Sequence, residues 1–590
     1  MEDYHNHVSV DAAANIDQWL AEPKYVEYKA ELEKMITDKR WKDLEDAFFK
    51  VIEFGTGGRR GPTGVGSNRI NRVTIGESTQ ALCAYAKTAD DSAPQKGIVI
   101  ACDTRLSSPE LSKYAACVAA ANGFTTYIFE SFRSTPELSF ALRELGCAVG
   151  IVISASHNQP IDNGFKAYWS DGAQLVPPHD VGVLSVAAEI DHINALKDYD
   201  RAVAEGAIVE IGSEMDEKYI AAVINQAEGT ERELKIAYSP LHGAGQRNTL
   251  PALHAAGFHD IITVDDQMIP DGNFPTIENG KPNPEEKAAN DRVVALMLAE
   301  DADIAITNDP DADRIGVMVR QGDEAVYLSG NQSAVLAADY VLRKKQAKND
   351  LTDKDFIAKT IVTTEMLRAL ADYYGVKLYG NLLIGFKYIG ELIRHREAVG
   401  ERYIIGGEES YGLSKGSYVR DKDGAAGALP MAEYAAELKK EGKTLWDRML
   451  ELYAIHGLYR ERLDTMVCPG AEGFTEMQAI MKSLREHAPS QIDGNQVTAV
   501  LDYSVLKRKD LVNGAETDID CIKGNVIVFE FGDSRRRITV RPSGTEPKLK
   551  FYVQWWQETR NAEEDFDELG QTLENMSREL EGIAFERIDK

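Results

Sequence analysis

Three stretches of this sequence repeat the order strand, loop, helix, glycine, strand, and this repetition constrains the fold more than any other feature. The first begins at "KGIVIACD", the second covers residues 233–266 and the third covers residues 356–380. Strands that alternate with helices predict α/β layers around a parallel or mixed sheet. The sequence therefore predicts three successive α/β modules.

The two ends of the chain differ from these modules. Residues 11–50 carry apolar residues at helical spacing, whereas "NVIVFEFGDSRRRITVRPSGTEPKLKFYVQWW" alternates like antiparallel strands. A long amphipathic helix is predicted after those strands by the stripe of Phe566, Leu569, Leu573, Met576, Leu580 and Ile583. The predicted fold class is thus α/β with mixed sheets in three modules, plus a C-terminal α+β domain. The predicted domains are residues 1–210, which include the N-terminal helices, 211–325, 326–455 and 456–590.

Composition limits the partners and the compartment. The 590 residues carry 95 Asp and Glu against 66 Lys and Arg, a formal charge of −29, which disfavours nucleic acid and anionic lipid as partners. The six cysteines include no CxxC pair, which favours a reducing compartment without a zinc site. The N-terminal segment has no signal-peptide pattern, and no apolar run approaches the ~18 residues that span a bilayer. A cytoplasmic protein is predicted.

A serine stands at the end of one apolar strand, in "GIVISASHN". Adjacent residues of an extended chain point apart, so Ser156 and His157 are not expected to form a catalytic dyad. Ser156 therefore needs a role that requires no neighbouring base.

Three aspartates follow another apolar strand, in "ITNDPDADRIGV". Asp309, Asp311 and Asp313 alternate, and residues two apart in an extended loop point the same way. Converging carboxylates repel one another unless a cation holds them, and hard oxygen ligands select Mg²⁺. The EF-hand alternative fails, because Arg314 and Arg320 stand where its glycine and glutamate belong. A solvated acidic turn is the remaining alternative.

Two further loops suggest recognition of a sugar phosphate. In "GGEESYGLSKGSYVRDKDG", Glu408 and Ser410 offer a carboxylate and a hydroxyl to neutral hydroxyl groups, although a solvated turn would look similar. In "RPSGTEPKLKFY", a guanidinium, two hydroxyls and flexible backbone predict an anion site for a phosphate monoester, with an ordinary basic hairpin turn as the alternative. The residues of this predicted phosphate site are Arg541, Ser543, Gly544 and Thr545.

Motifs of other phosphoryl and acyl transfer enzymes are missing. The sequence has no GxxxxGK[ST] motif and no GxSxG around Ser156. With its loops in this order, the chain resembles the α-D-phosphohexomutase superfamily, and within it the long phosphoglucomutase/phosphomannomutase type. The motifs that carry the resemblance along nearly the whole chain are "FGTGGRRG", "SASHN", "DPDADR", "GEESYG" and "RPSGTEPK".

The resemblance implies a four-domain fold whose domains line one cleft, and it implies that Ser156 is carried as a phosphoserine. A phosphoserine needs no neighbouring base, because it donates its phosphoryl group to a hydroxyl of the bound sugar phosphate. Mg²⁺ on Asp309, Asp311 and Asp313, with a Ser156 phosphoryl oxygen as a further ligand, would neutralise the transferring group.

Roles for other residues follow from the same resemblance. Lys166, in "DNGFK", is the expected general base or acid, with a pKa lowered by Arg60 and Mg²⁺. His157 is expected to orient the phosphate or the loop, and a structural histidine is the alternative. The other residues expected to contact substrate are Arg314, Lys387, Glu408, Ser410, Arg541, Ser543, Gly544 and Thr545.

The predicted function is a phosphosugar mutase that moves phosphate between the 1- and 6-positions of glucose, with Mg²⁺ as cofactor and glucose 1,6-bisphosphate as activator. Phosphomannomutase, phosphopentomutase and sugar-bisphosphate synthase activities are alternatives within the family. A metal-dependent phosphatase and a non-catalytic sugar-phosphate sensor are alternatives outside it. The substrate would be a small sugar phosphate, and the enzyme a monomer or homodimer.

One position departs from the family pattern. Gln159 stands directly after "SHN", where the family usually has proline, and Pro160 follows it. The loop keeps its length to Gly164, so Ser156 is expected to keep its place, with a possible effect on rate or substrate preference.

Overall fold

The computed structural model describes residues 4–53, 58–468, 472–543 and 548–586. The chain divides into two compact units. Unit 1 contains Met1–Met318, Gly390–His395 and Gly412–Leu429. Unit 2 contains Val319–Ile389, Arg396–Tyr411 and Pro430–Lys590. Each unit is described by itself below.

Three helices at the N-terminus form a small core of their own, as the helical spacing predicted. Trp19 is buried there among Ile16, Tyr25 and Phe48, and its ring stacks on that of Tyr25 at 4.4 Å between centroids. Ser9 caps the first helix by accepting the backbone N–H of Ala12. The helices are α1 (Val10–Ala21), α2 (Lys29–Thr37) and α3 (Trp41–Phe48).

The first α/β module has a mixed sheet, because one of its strands, β5, runs against the rest. Its elements are β1 (Gly58–Pro62), α4 (Arg72–Ala89), α5 (Ala93–Lys96), β2 (Ile98–Cys102), α6 (Ser108–Ala121), β3 (Thr126–Phe129), α7 (Thr135–Glu144), β4 (Val149–Ile153), β5 (Asp162–Trp169), α8 (His179–Ala187), α9 (Tyr199–Ala204), β6 (Ile208–Ile211) and α10 (Ser213–Ile224). The strand order is β1-β5-β4-β2-β3-β6. Strands β4, β2, β3 and β6 are parallel, whereas β5 is antiparallel to both β4 and β1. Every residue of β2 and β4 is buried, which explains their continuous apolar sequence.

The second module repeats the pattern with fewer elements. They are β7 (Ile236–Ser239), α11 (Thr249–Ala255), β8 (Ile261–Thr263), α12 (Lys287–Ala299), β9 (Ile304–Asn308), β10 (Ile315–Gln321) and β11 (Glu324–Leu328). The strand order is β11-β10-β9-β7-β8, and β7 is parallel to both β8 and β9. The carboxyl end of buried β9 leads directly into the three aspartates.

The third module contains the strands that precede the predicted sugar loop. Its elements are α13 (Gly330–Ala347), β12 (Asp355–Thr360), α14 (Met366–Tyr374), β13 (Lys377–Leu382), α15 (Phe386–Ala398), β14 (Arg402–Gly407), β15 (Leu413–Lys415), α16 (Gly424–Lys440) and α17 (Leu445–His456). Strand β12 is parallel to β13 on one side and to β14 on the other.

The C-terminal domain is a seven-stranded sheet with helices, as the alternating sequence predicted. The order is β16-β24-β23-β22-β19-β20-β21, and the pairs are antiparallel. Along α19, Leu569, Leu573, Met576 and Leu580 are buried, while Phe566 and Ile583 at the ends of the predicted stripe are only partly so. The elements are β16 (Leu458–Val467), α18 (Glu472–Glu486), β17 (Gln491–Ile492), β18 (Asn495–Gln496), β19 (Ala499–Asp502), β20 (Lys507–Asp510), β21 (Glu516–Asp518), β22 (Ile527–Glu530), β23 (Arg537–Pro542), β24 (Lys548–Gln557) and α19 (Ala562–Phe585).

The predicted fold class is confirmed: three α/β modules with mixed sheets precede a C-terminal α+β domain. The domain boundaries and the common cleft stay predictions. Within the described residues, no helix is both long enough and apolar enough to cross a membrane.

Candidate functional site

The aspartate loop after β9 brings three carboxylates together by a tight turn. The carbonyl of Asp309 accepts the backbone N–H of Ala312 at 2.8 Å, and Ala312 has a left-handed φ of 51°. The loop is therefore not extended. The three carboxylates do converge, but the premise of an extended backbone, from which their convergence was predicted, is wrong. One oxygen from each of Asp309, Asp311 and Asp313 lies within 4.8 Å of the others. The alternative of a solvated acidic turn is wrong, because all three residues are buried.

This carboxylate cluster fits a divalent cation. The Oδ1 atoms of Asp311 and Asp313 are inaccessible and have no hydrogen-bond partner among the described residues. Burial, followed by the charges of Asp313 and Asp311, raises the pKa of Asp309 well above its ordinary value. Unsatisfied anionic oxygens that repel one another are the setting in which a hard cation is stabilising, and carboxylate oxygens are the ligands that Mg²⁺ prefers.

Ser156 faces the aspartates. Its Oγ donates a hydrogen bond of 2.6 Å to Oδ2 of Asp309 and lies 3.1 Å from Nδ1 of His157. The expectation that Ser156 and His157 point apart is wrong, because Ser156 has a φ of 51° and the chain is not extended there.

Lys166 lies on β5, opposite Val152 of β4, and its amino group reaches the aspartates. Its Nζ donates to Oδ2 of Asp311 at 2.5 Å and lies 3.5 Å from Oδ2 of Asp313. Burial acts to lower the pKa of Lys166, but the two carboxylates outweigh burial and raise it. The expected lowering is therefore not found with these residues alone. The pKa of Asp311 is held below its usual range, because its contacts with Lys166 and Thr135 outweigh the effect of burial.

Two arginines complete the predicted group of residues in unit 1. The Nε of Arg314 lies 4.0 Å from Asp309 and 3.9 Å from Asp313, and its Nη1 donates to Glu285 at 2.6 Å. Arg60 donates to the side chain of Asn158 at 3.4 Å. Burial lowers the pKa of Arg60, and Asp311 opposes that effect. Arg314 therefore lies at the aspartate loop, and Arg60 lies at the serine loop.

The sequence reasoning missed two side chains that contact the aspartates. The Nζ of Lys422 lies 3.2 Å from Oδ2 of Asp313, and the hydroxyl of Thr135 donates to Oδ2 of Asp311 at 2.7 Å. The backbone N–H of Thr135 also donates to the carbonyl of Asp311 at 2.9 Å. The alternating charges of "RDKDG" were a signal for Lys422. Thr135 gave no such signal, because "STPE" is typical of any helix start.

A second group of predicted residues lies in unit 2. The carboxylate of buried Glu408, after β14, accepts the backbone N–H of Gly385 at 3.1 Å. Buried Lys387 follows two residues later, at the start of α15, and Ser410 is partly buried. The loops after β13 and β14 are thus joined by a hydrogen bond.

The predicted phosphate loop also belongs to unit 2, at the end of β23. The guanidinium of Arg541 donates to the hydroxyl of Tyr552 at 3.3 Å. Burial acts to lower the pKa of Arg541, but Tyr552 and the carboxylates of Glu409 and Glu408 outweigh it and raise that pKa. Ser543 is partly buried, whereas the predicted residues Gly544 and Thr545 lie outside the described residues.

The fold is that of the α-D-phosphohexomutases. Three family models match the chain in order: Phosphoglucomutase/phosphomannomutase, alpha/beta/alpha domain I at residues 51–194, domain II at residues 217–322 and domain III at residues 329–454. The chain belongs to the phosphoglucomutase/phosphomannomutase family.

Curated relatives extend the similarity across most of the chain. A phosphoglucomutase of Staphylococcus epidermidis is 32% identical over 515 residues, which cover 87% of this chain and 92% of the relative. A phosphoglucomutase of Staphylococcus aureus is 33% identical over 527 residues, covering 87% and 91%.

Solved structures show the same fold. Parafusin, a phosphoglucomutase from Paramecium, matches with a TM-score of 0.64 at 17% identity, covering 90% of this chain and 96% of its own. A phosphoglucomutase/phosphomannomutase family protein from Burkholderia thailandensis matches with a TM-score of 0.62 at 18% identity, covering 88% and 97%.

Proposed function

We propose that this chain is a phosphoglucomutase, which interconverts glucose 1-phosphate and glucose 6-phosphate through a phosphoserine at Ser156 and glucose 1,6-bisphosphate. The observation that carries the proposal is the contact of Ser156 Oγ with Asp309, within a buried cluster of three carboxylates. The curated relatives named phosphoglucomutase favour glucose over mannose or a pentose as the sugar.

In the proposed reaction, the bond from phosphorus to Ser156 Oγ breaks as a bond forms to the hydroxyl oxygen of the bound sugar phosphate. The hydroxyl proton leaves the sugar, and Ser156 Oγ gains a proton. Lys166 is the proposed carrier of that proton, because it is buried beside the aspartate loop and hydrogen bonded to Asp311. The bisphosphate then reorients and returns its other phosphoryl group to Ser156.

Charge neutralisation is the main demand of this chemistry. Mg²⁺ held by Asp309, Asp311 and Asp313 would stabilise the negative charge on the transferring phosphoryl group. Arg60, Arg314 and Lys422 supply fixed positive charge at the same loops, and His157 Nδ1 orients Ser156 Oγ at 3.1 Å.

The unit 2 residues are proposed to bind the rest of the substrate. Glu408 and Ser410 are assigned to sugar hydroxyls, and Lys387 to substrate binding beside them. Arg541, Ser543, Gly544 and Thr545 are assigned to the phosphate that is not transferred, since a guanidinium fork recognises a phosphate monoester. The proposed enzyme acts in the cytoplasm, as a monomer or homodimer.

The test is an isomerisation assay. Purified protein with Mg²⁺ and glucose 1,6-bisphosphate is given glucose 1-phosphate, mannose 1-phosphate or ribose 1-phosphate, and kcat/KM is compared. Ser156→Ala is expected to fold normally, to lose turnover and to lose the phosphoryl group seen by intact mass. Ser185→Ala, on the exposed face of α8, is the control and is expected to leave both unchanged.

Other outcomes would contradict the proposal. Full turnover in Ser156→Ala excludes the phosphoserine. Steady release of phosphate without isomerisation would indicate a phosphatase, and tight binding of glucose 6-phosphate without turnover would indicate a sensor. A higher kcat/KM for mannose 1-phosphate would make the protein a phosphomannomutase.

A further inference from the structure

One arginine holds most of the backbone of the serine loop. Arg105 follows β2 and is completely buried. Its Nη2 donates to the carbonyls of Ser156 and Asn158, both at 2.6 Å. Its Nη1 donates to the carbonyls of Gln159 at 2.7 Å and Asp162 at 2.9 Å. A single guanidinium thus satisfies four carbonyls within one seven-residue segment, Ser156 to Asp162.

Arg105 is itself fixed by Asp103. The Nε of Arg105 lies 3.2 Å from Oδ2 of Asp103, and both side chains are fully buried. Oδ1 of Asp103 accepts the backbone N–H of Arg105 at 3.0 Å and the hydroxyl of Ser108 at 2.6 Å. The guanidinium is therefore anchored at the carboxyl end of β2 and the start of α6, which are rigid parts of the module. The ring of Phe274 covers it at 5.2 Å.

The serine loop needs such a support for two reasons. Ser156 occupies a left-handed conformation that costs about 1 kcal/mol or more and persists only where surrounding contacts impose it. Its carbonyl lies in a buried region, where an unpaired acceptor costs about 1–3 kcal/mol. Gln159, inside the loop, has no ring that fixes its φ, so its own side chain does not restrict the backbone there.

We propose that Arg105 is a positioning residue for phosphoryl transfer, which holds the Ser156–Asp162 segment so that Ser156 Oγ faces Asp309. The proposal rests on the proposed function, because it assumes that Ser156 carries the phosphoryl group. Arg105 contacts no reacting atom and acts through the backbone carbonyl of Ser156. Displacement of a reacting oxygen by about 1 Å can cost about a hundredfold in rate.

The test separates transfer from binding and from folding. Phosphorylation of Ser156 by glucose 1,6-bisphosphate is followed by intact mass in a single turnover, in wild type, Arg105→Lys and Arg105→Met. Lysine keeps the charge but cannot span four carbonyls, so we expect a fall of about tenfold with lysine and about a hundredfold with methionine. KM for glucose 1-phosphate is expected to change less than about threefold, because the substrate-binding groups stay in place.

A matched control removes a second buried arginine. Arg133 is also fully buried and is paired with Asp216 at 2.7 Å, without a described bond to the serine loop. Arg133→Lys and Arg133→Met are expected to lower the melting temperature as much as the Arg105 variants while keeping the transfer rate within about threefold. Added methylguanidinium is expected to restore transfer in Arg105→Ala, and not to change it in Arg133→Ala.

The outcomes distinguish the two proposals. If wild type takes no phosphoryl group on Ser156, the proposed function is wrong. If wild type does and folded Arg105→Lys matches its rate, the positioning role is wrong. Should the Arg105 variants fail to fold, Asp103→Asn keeps the guanidinium and removes only its counter-charge. A fall of about threefold or more in transfer is expected there, and an unchanged rate would overturn the positioning role.

Discussion

Ser156 Oγ donates a hydrogen bond of 2.6 Å to Oδ2 of Asp309, although 153 positions separate the two residues. The contact joins the end of β4 in the first module to the end of β9 in the second. Carboxyl ends of strands in α/β sheets are where functional loops collect. The serine therefore meets three buried carboxylates, whose mutual repulsion leads to the first prediction.

Asp309→Asn is expected to weaken metal binding and to stabilise the metal-free protein. The substitution removes one of three crowded anions, and the amide still accepts the N–H of Arg314. Titration with Mn²⁺ should show affinity reduced by about tenfold or more. In EDTA, the melting temperature should rise. Asp301→Asn, at an exposed position on the same module, should change neither quantity. A lower melting temperature in EDTA would show that repulsion in the cluster is already relieved.

Lys166→Met is expected to reduce kcat by about 10²–10⁴-fold, as loss of a proton carrier does. It also leaves Asp311 buried beside Asp313 without its cation, which costs about 3–5 kcal/mol in the metal-free protein. Mg²⁺ should recover part of this stability and none of the turnover. Unfolding is measured with and without Mg²⁺, and Lys281→Met, at an exposed position, is the comparison. Wild-type turnover in Lys166→Met would remove the lysine from the mechanism.

The sequence was sufficient to predict elements whose local pattern matches their burial. "KGIVIACD" became the fully buried β2, and "SPELSKYAACVAAANG" became α6, which ends before the left-handed Gly123. In these segments, the spacing of the apolar residues, the residues at the helix start and the glycine after the helix end all indicate the same structure. The residues of the aspartate loop were found for a similar reason, because three acids that follow an apolar strand are conspicuous.

The rest depended on contacts between distant segments. Thr135 and Lys422 reach the aspartates from α7 and from the segment before α16, and no local pattern encodes such a meeting. The left-handed φ of Ser156 was also invisible, because it is imposed by buried partners such as Arg105 rather than by the serine itself. The contact between Ser156 and His157 was not predicted either, because the chain was assumed to be extended at Ser156.

Thr135→Val is expected to lower the phosphoryl transfer rate by about tenfold, since a hydrogen bond to a charged group contributes about 1.5–3 kcal/mol. The hydroxyl fixes Oδ2 of Asp311, and valine keeps its shape without the donor. Thr135→Ser restores the donor and should recover most of the rate. Mn²⁺ titration should show affinities in the same order as the transfer rates, tightest in wild type, weaker in Thr135→Ser and weakest in Thr135→Val. Equal rates in valine and serine variants would mean that Asp311 needs no such support.

A cluster of ionisable groups in unit 2 makes stability depend on pH. Lys359 is fully buried, bonded to the carbonyls of Thr360 and Thr363 and paired with Glu365 at 2.8 Å. Arg537 of β23 donates to the same carboxylate at 2.7 Å. Glu461 of β16 is partly buried, and the charges of Lys359 and Glu365 act on its pKa.

Burial raises the pKa of Glu461 from 4.5 to about 7, although Thr364, Lys359 and Arg460 act to lower it. A raised pKa means that folding favours the protonated acid. The contribution of Glu461 to the free energy of unfolding is therefore complete below pH 4.5 and is lost as the pH rises through 7. Glu461→Gln keeps the neutral form at every pH. Between pH 4.5 and 7, the free energy of unfolding of the variant should rise by about 3 kcal/mol relative to that of wild type. Urea unfolding at a series of pH values measures the difference, with exposed Glu486→Gln as the control. A difference that is constant with pH would place the pKa of Glu461 at its ordinary value.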